Sequence, residues 1–297
     1  MSTVELVAAD ELAATRPAIG ARRRVMRRLL RNPLAVGGLA VVVVAVGAAL
    51  LADVVSPYAY DQTDFGAALQ PPSGSHWFGT DELGRDQLSR VLFGLRASVL
   101  VAVMSVALSM AVGVPLGLAA GFYGLVDPVV SRLTDTLLSF PFLVLAVGLA
   151  AILGPSLTTA TVAIGIAQVP AVIRVTRGET LRLRGLDFVA AAVADGATDG
   201  VVLRRHIFPN AVNALIVQAT VAAPAAIIGE SVLSFLGLGI RPPDPSLGVM
   251  LASAQPLFRD GPWMAVIPGL VIVAVTLGLN LLGDGLRDAL DPREAPR

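Results

Sequence analysis

Two acidic residues stand in or beside long apolar runs, where a carboxylate is costly to insert. Asp135 lies at the predicted inner end of the third membrane span, and Glu230 lies toward the outer part of the fifth. A charge near the middle of a bilayer costs a few kcal/mol or more, so such residues usually face the protein interior or a water-filled path. Both carboxylates are therefore candidates for a translocation path, where they would meet a substrate amino group or a cation.

The alternative for each carboxylate is a structural role, as the partner of an arginine or of backbone groups on a neighbouring helix. Arg132 precedes Asp135 by three residues, which places both on one helix face and favours an ion pair there. Nothing in the sequence around Glu230 favours one role over the other.

Four residues before the second span are of types that bind metals. They are His76, Asp81, Glu82 and Asp86. Only Glu82 and Asp86 are spaced i, i+4, and His76 has no such partner, so we favour a loop held by turns and ion pairs. Gly79 and Gly84 permit tight turns, and Thr80 or Asp81 is predicted to cap a helix that begins near Glu82.

Several kinds of chemistry are excluded by composition. The chain has no cysteine and no lysine, so it can form no disulfide, thiolate metal site or phosphate-binding loop of the Gly-x-x-x-x-Gly-Lys-Ser/Thr type. His-Glu-x-x-His and Gly-x-Ser-x-Gly are also absent. We expect no catalytic residue, no metal site and no cofactor on this chain, and the zero net charge argues against a nucleic-acid partner.

The elements that position these residues are membrane helices. The 297 residues are 55% hydrophobic and 15% charged, with a mean hydropathy of +0.75, which is typical of a chain solvated by lipid. The predicted spans come from apolar runs at 32–52, 97–126, 136–173, 211–235 and 263–283. Because one helix crosses the bilayer in roughly 20 residues, the run 136–173 must hold two helices, separated at Gly154-Pro155-Ser156. The fold class is an all-α polytopic membrane protein with six transmembrane helices.

The arginine distribution sets the orientation. With six spans and the N-terminus inside, 17 of the 22 arginines lie on the cytoplasmic side. If 136–173 were a single span, only 10 would lie there, and the expected positive-inside bias would vanish. Six spans with both termini in the cytoplasm are therefore predicted.

Four regions follow from this topology. Residues 1–31 form an arginine-rich cytoplasmic tail that sets topology or binds anionic lipid, and its length argues against a cleaved signal peptide. Residues 32–96 hold the first span and an outer loop, 97–283 hold a core with five spans, and 284–297 form a cytoplasmic tail.

Residues 187–209 form a polar insertion between apolar spans. The pattern predicts a compact helix containing Ala191 and Ala192, a turn at Gly196 just after Asp195, and a second short helix that Pro209 helps to end. Such a compact projection can receive a force from a partner protein that lies outside the bilayer. The alternative is an ordinary loop between two membrane helices.

The spacing in this hairpin resembles the coupling loop of ABC-importer permeases, whose pattern is Glu-Ala-Ala, three residues, Gly, nine residues, then Ile-x-Leu-Pro. The alanines, glycine and proline match, whereas Ala190, His206 and Phe208 replace the glutamate, isoleucine and leucine. Replacement of this glutamate removes a negative charge, and Asp187 or Asp195 is a candidate to supply a substitute charge.

Four further motifs resemble the second, C-type permease subunit of dipeptide, oligopeptide and nickel ABC importers. They are His76 to Asp86, Arg31 to Leu34, Leu233 to Gly248 and Gly283 to Pro292. Together they cover the chain from about residue 24 to 293, in order. The resemblance implies a type I importer permease fold, located in the cell inner membrane.

The resemblance also implies partners: a homologous second permease, two ATPase subunits that carry ATP and magnesium, and an extracytoplasmic substrate-binding protein. Closure of the ATPases would push on the hairpin and tilt the spans, giving alternating access. Two other functions stay open, a self-sufficient secondary transporter using Glu230 and Asp135, and a membrane assembly protein without transport. Peptide and nickel substrates are not separated.

Overall fold

The computed structural model describes residues 25–290, and its architecture is helical. Residues 25–29 are helical and precede the numbered elements. The α-helices, numbered here in chain order, are α1 (Pro33–Leu50), α2 (Ala52–Val55), α3 (Gln87–Phe122), α4 (Asp127–Leu138), α5 (Phe142–Leu153), α6 (Leu157–Arg184), α7 (Asp187–Ala194), α8 (Asp199–Val201), α9 (Phe208–Phe235), α10 (Leu247–Ala254) and α11 (Trp263–Leu290). A 3-10 turn (Phe65–Ala67) precedes α3, and a π-helix (Val202–Ile207) joins α8 to α9. The described residues contain no strand, and Thr80 and Asp86 form an isolated antiparallel bridge.

Five of the described helical segments are long and apolar enough to cross a bilayer, namely α1, α3, α6, the continuous segment Asp199–Phe235, and α11. The predicted third span is different, because α4 and α5 are bent by 91° with respect to each other. The 12 residues of α5 extend about 18 Å, against a hydrocarbon core of about 30 Å. The structure thus has six apolar spans if the bent pair counts as one.

The boundaries of α5 have local causes. Pro141 has no amide hydrogen and disfavours helical geometry at the residue before it, so the chain turns between α4 and α5. The break predicted at Gly154-Pro155-Ser156 is confirmed: α5 ends at Leu153, and Gly154 adopts φ +81°. The Ser156 side chain accepts a hydrogen bond from the Thr159 amide and caps α6.

The core is centred on α3 and α6, whose backbones approach closely along a glycine stripe. A Cβ built on Gly113, Gly117 or Gly121 would lie 2.7, 2.5 and 2.5 Å from the Cβ atoms of Val172, Thr176 and Thr180, respectively. Both series advance by four residues, so one ridge of α6 lies in a groove of α3. Such a stripe of small residues lets two helix backbones approach closely.

The first span is attached to the core at both ends. Gly38 of α1 packs against the backbone of α11, where an added Cβ would lie 2.6 Å from the Gly278 carbonyl oxygen. At the C-terminal end of α1, Arg96 of α3 donates to the Ala49 carbonyl at 2.8 Å and pairs with Asp53 at 2.6 Å. The hydrogen bond from Arg96 holds the pKa of Asp53 below its usual value. This tether fixes α1 against α3.

The loop between α2 and α3 is held by ion pairs. Asp81 accepts from the Arg85 Nε at 2.6 Å and lies 3.6 Å from the buried Arg90 guanidinium, while His76 Nδ1 lies 3.0 Å from Asp86. Gly79 and Gly84 adopt φ +75° and +73°, which confirms the predicted turns. The predicted helix cap at Thr80 or Asp81 is wrong.

Helix α3 begins at Gln87, and Asp86 caps it by accepting from the Ser89 amide at 2.8 Å. Asp81 is not available as the cap, because its carboxylate is bound to Arg85 and to the Leu83 amide.

Candidate functional site

The predicted hairpin has the expected helix and turn. Helix α7 spans Asp187–Ala194, and Gly196 adopts φ +82°, a region that glycine enters without a steric penalty. The Ala197 amide donates to the Ala192 carbonyl at 3.0 Å, and the Gly196 amide donates to the Val193 carbonyl at 3.0 Å. These bonds satisfy carbonyls at the end of α7 and reverse the chain direction.

The hairpin has its own small core. It contains Leu183 at the end of α6, Val189 of α7, Val202 and Ile207 of the π-helix, and Ala211 of α9. Because these residues come from all the arms of the hairpin, the hairpin is packed onto the ends of α6 and α9. Packed side chains therefore connect α7 to the ends of those two spans.

The two alanines of the motif lie on different faces of α7. Ala191 is exposed, together with Phe188, Val193 and Asp195, whereas Ala192 is only 9% exposed. This chain therefore buries most of the Ala192 side chain itself. Ala191 belongs to the face that a partner can reach.

Pro209 does not end a short helix as predicted. It lies in the first turn of α9, and the helical segment Asp199–Phe235 runs through it without interruption. The π-helix just before it accommodates the proline: the Phe208 amide donates to the Leu203 carbonyl, one residue further back than in an α-helix. The second arm of the hairpin is thereby a direct extension of a membrane span.

The position of the replaced glutamate, Ala190, borders an open cavity. This cavity has a volume of about 570 Å³ and lies between α7, Arg184 and the turn Phe122 to Leu125. Arg184 donates to the Phe122 carbonyl at 2.8 Å, which joins the end of α6 to the end of α3. Within residues 25–290, neither Asp187 nor Asp195 forms an ion pair, so compensation of the missing charge stays a prediction.

Glu230 is completely buried, with 0% exposure. Its carboxylate accepts from Ser98 of α3 at 2.6 Å and from Ser234 of α9 at 2.8 Å. Ser234 Oγ in turn accepts from the Ile240 amide at 3.1 Å. The group thus joins α3, α9 and the loop after α9, and in this conformation it lines no surface of the chain.

Asp135 lies in a different environment. Its side chain is 66% exposed and pairs with Arg174 of α6 at 2.9 Å. The predicted pairing with Arg132 is wrong, because Asp135 projects toward the neighbouring helix α6. Sequence reasoning also missed Asp127, whose carboxylate is bound by Arg177 of α6 through both Nε and Nη2. The structure does not bring Asp135 and Glu230 into one site.

These features define a helical, multi-pass membrane protein with a hairpin packed onto the ends of two spans and no assembled catalytic group among the residues described. The chain matches the family model described as "Binding-protein-dependent transport system inner membrane component" over residues 113–295. Residues 21–72 match the N-terminal transmembrane domain of oligopeptide transport permease C.

Relatives cover nearly the whole chain. The dipeptide transport system permease protein DppC of Alkalihalophilus pseudofirmus is 40% identical over 277 residues, covering 93% of this chain and 91% of that protein. The di/tripeptide transport system permease protein DppC of Pseudomonas aeruginosa is 43% identical over 269 residues, covering 88% and 89%. The glutathione transport system permease protein GsiD of Pectobacterium atrosepticum is 40% identical over 273 residues, covering 91% of each.

A solved structure shares the fold. A chain from inward-facing conformations of the MetNI methionine ABC transporter aligns with a TM-score of 0.56 at 19% identity, covering 68% of this chain and 96% of that one. The chain belongs to the family of inner membrane components of binding-protein-dependent transport systems, as a permease subunit of the ABC importer type. It is a multi-pass inner membrane protein, and its family provides transport components that work with ATPase and substrate-binding partners. The predicted family, fold class and transport role are confirmed.

The geometry of Glu230 yields a first prediction. Glu230→Leu should leave the Ser98 and Ser234 hydroxyl groups without their acceptor, and each buried unpaired group costs about 1–3 kcal/mol. Thermal unfolding of the detergent-solubilised protein should therefore occur at a clearly lower temperature. Glu230→Gln keeps an acceptor oxygen and should unfold close to the wild type. Equal unfolding temperatures for wild type and Glu230→Leu would show that the carboxylate does not brace these helices.

Proposed function

We propose that this chain imports di- and oligopeptides as one of two permease subunits in an ATP-driven importer. The proposal is supported by relatives named for dipeptides, di/tripeptides and glutathione, which is itself a tripeptide, at 40–43% identity over most of the chain. Nickel, implied by the sequence resemblance, is the competing substrate and serves as an outcome of the test.

The observation that carries the coupling part of the proposal is the construction of the hairpin. Its exposed face presents Phe188, Ala191 and Asp195, while its buried face is packed onto the ends of α6 and α9. We assign the exposed face to an ATPase subunit. Movement of the ATPase would then displace two spans together as packed bodies.

The remaining assembly is part of the same proposal. A homologous permease pairs with this chain as a heterodimer, two ATPases carry ATP and magnesium, and an extracytoplasmic protein delivers the substrate. Both chain termini lie in the cytoplasm, as the arginine distribution favours. Residues 1–24 and 291–297, which carry part of that charge, lie outside the described residues.

Within this assembly, Glu230 has a place beside the path. Its carboxylate holds α3 against α9, so the separation of these helices during alternating access would have to break its hydrogen bonds to serine. Asp135 has an exposed position on α4 and is held by Arg174. We propose positioning roles for both residues.

The test is uptake by the complete importer in proteoliposomes, with its binding protein outside and ATP inside. A labelled dipeptide should accumulate only when ATP and the binding protein are both present, and nickel chloride in place of the peptide should not accumulate. Accumulation of nickel in preference to peptide would reassign the substrate. Accumulation by this chain alone, driven by an ion gradient, would instead support a secondary transporter.

A further inference from the structure

The polar face of α4 is the face that attaches it to α6. Asp127, Ser131 and Asp135 are spaced by four residues and therefore lie on one side of the helix. Asp127 is bound by Arg177, and Asp135 by Arg174. Val129 and Leu133, on other faces, are 71% and 59% exposed. Helix α4 thus directs its charged residues toward α6.

The two ion pairs differ in the number of their hydrogen bonds and in their exposure to water. Arg177 binds Asp127 with two nitrogens, and the Ser131 hydroxyl donates to the same carboxylate at 2.8 Å. A two-point arginine–carboxylate contact fixes both distance and orientation. The Asp135–Arg174 pair uses one nitrogen, and both side chains are more than 60% exposed, so water weakens it. The first pair is therefore the one that can transmit a displacement.

Arg177 lies on the part of α6 that is joined to the hairpin. It precedes Arg184, the last residue of α6, by seven residues, or about 10 Å of helix, and α7 begins three residues later at Asp187. Between them, Leu183 belongs to the core of the hairpin and Arg184 binds the end of α3. On the other side of the pair, α4 is followed by the 91° bend and by the apolar helix α5.

We propose that Asp127 and Arg177 are positioning residues that transmit movement of the hairpin, through α6 and α4, to helix α5. Helix α5 also packs directly on α6, but apolar contacts allow sliding, whereas the two-point pair sets the angle of α4. With α4 nearly perpendicular to α5, a rotation of α4 displaces the inner end of α5. This inference rests on the proposed docking of the hairpin to an ATPase.

The experiment reverses the charges singly and together in the complete importer. Asp127→Arg and Arg177→Asp should each lower the ratio of peptide taken up to ATP hydrolysed by roughly fivefold or more, the size of a typical coupling free energy. The double exchange restores an ion pair and should return the ratio to within about twofold of the wild type. A purely structural role would lower the amount of assembled importer and leave the ratio unchanged.

A matched control lies on the same helix. Arg182 pairs with Glu179 at 2.6 Å, but both belong to α6, so this pair joins no second element. Exchange of its two charges should leave the uptake ratio unchanged. Asp135→Asn should have a smaller effect than Asp127→Asn, because its ion pair is more exposed.

Two results would overturn the inference. One is an unchanged ratio in both single reversals, and the other is a double exchange as impaired as the singles. If the charge-reversal variants do not assemble, Asp127→Asn is measured in their place, and Asp127→Glu serves as its charge-retaining control. Equal uptake ratios in Asp127→Asn and Asp127→Glu would reject the proposed role of the ion pair. A wild-type importer without ATP-dependent uptake would instead reject the proposed function.

Discussion

Replacing Gly117 by leucine should prevent the chain from accumulating as a folded membrane protein. Even a methyl group at this position would lie 2.5 Å from the Thr176 Cβ and 2.9 Å from the Ile173 carbonyl oxygen. The second of these atoms belongs to the backbone and cannot rotate away. Inserting even small groups into a packed core costs about 1–3 kcal/mol, and a leucine here must separate α3 from α6 along their closest approach.

The measurement is gel filtration and thermal unfolding of the solubilised chain, with Gly178→Leu as the matched control. Gly178 lies on α6 two residues after Thr176, on an exposed face where nothing lies within 4 Å of an added Cβ. It should give a monodisperse protein that unfolds close to the wild type. A folded Gly117→Leu variant with unchanged stability would mean that α3 and α6 do not pack as described.

Features set by local sequence were predictable. The spacing of Gly113, Gly117 and Gly121 predicts a close helix contact from one chain segment alone, because residues four apart lie on one helix face. The turn at Gly154 and the turn at Gly196 follow likewise from the conformational freedom of glycine. The complementary series on α6 was not predictable, since threonine and valine at a four-residue spacing have no distinctive signal.

Features set by tertiary contacts were not predictable. Glu230 finds its hydrogen-bond donor in Ser98, which lies 132 residues away, and Asp127 finds Arg177 at a separation of 50. Asp135 prefers Arg174 to the nearer Arg132 because the packing of α4 on α6 determines which side chains meet. Periodicity alone could not show that the bend after α4 would be 91°, although Pro141 marks its place.

The orientation of α7 is also set by tertiary contacts, and it determines how substitutions of its two adjacent alanines are expected to act. Successive residues on a helix point about 100° apart, so two adjacent alanines can lie in different environments. The motif names both alanines without distinguishing them, whereas the folded hairpin buries Ala192 and leaves Ala191 exposed. The two residues should therefore respond to the same substitution in different ways.

Ala191→Leu should abolish coupling without unfolding the hairpin. Leucine is nearly as good a helix former as alanine, so α7 should persist. The larger side chain would project from the exposed face and hold an ATPase surface away. We expect assembly and thermal stability of the isolated chain to match the wild type. Peptide-stimulated ATP hydrolysis and uptake should both fall by roughly tenfold or more, which corresponds to about 1.4 kcal/mol of lost docking free energy.

Ala192→Leu is the comparison that separates docking from folding. Its side chain would enter the interior of the hairpin, where overpacking costs about 1–3 kcal/mol, so the isolated chain should become less stable and more sensitive to protease at residues 187–209. The expected pattern is a loss of stability for Ala192→Leu and a loss of coupling alone for Ala191→Leu. Normal uptake by Ala191→Leu would exclude the exposed face of α7 as the ATPase contact. Reduced stability in both variants would mean that the hairpin core surrounds α7 on both sides.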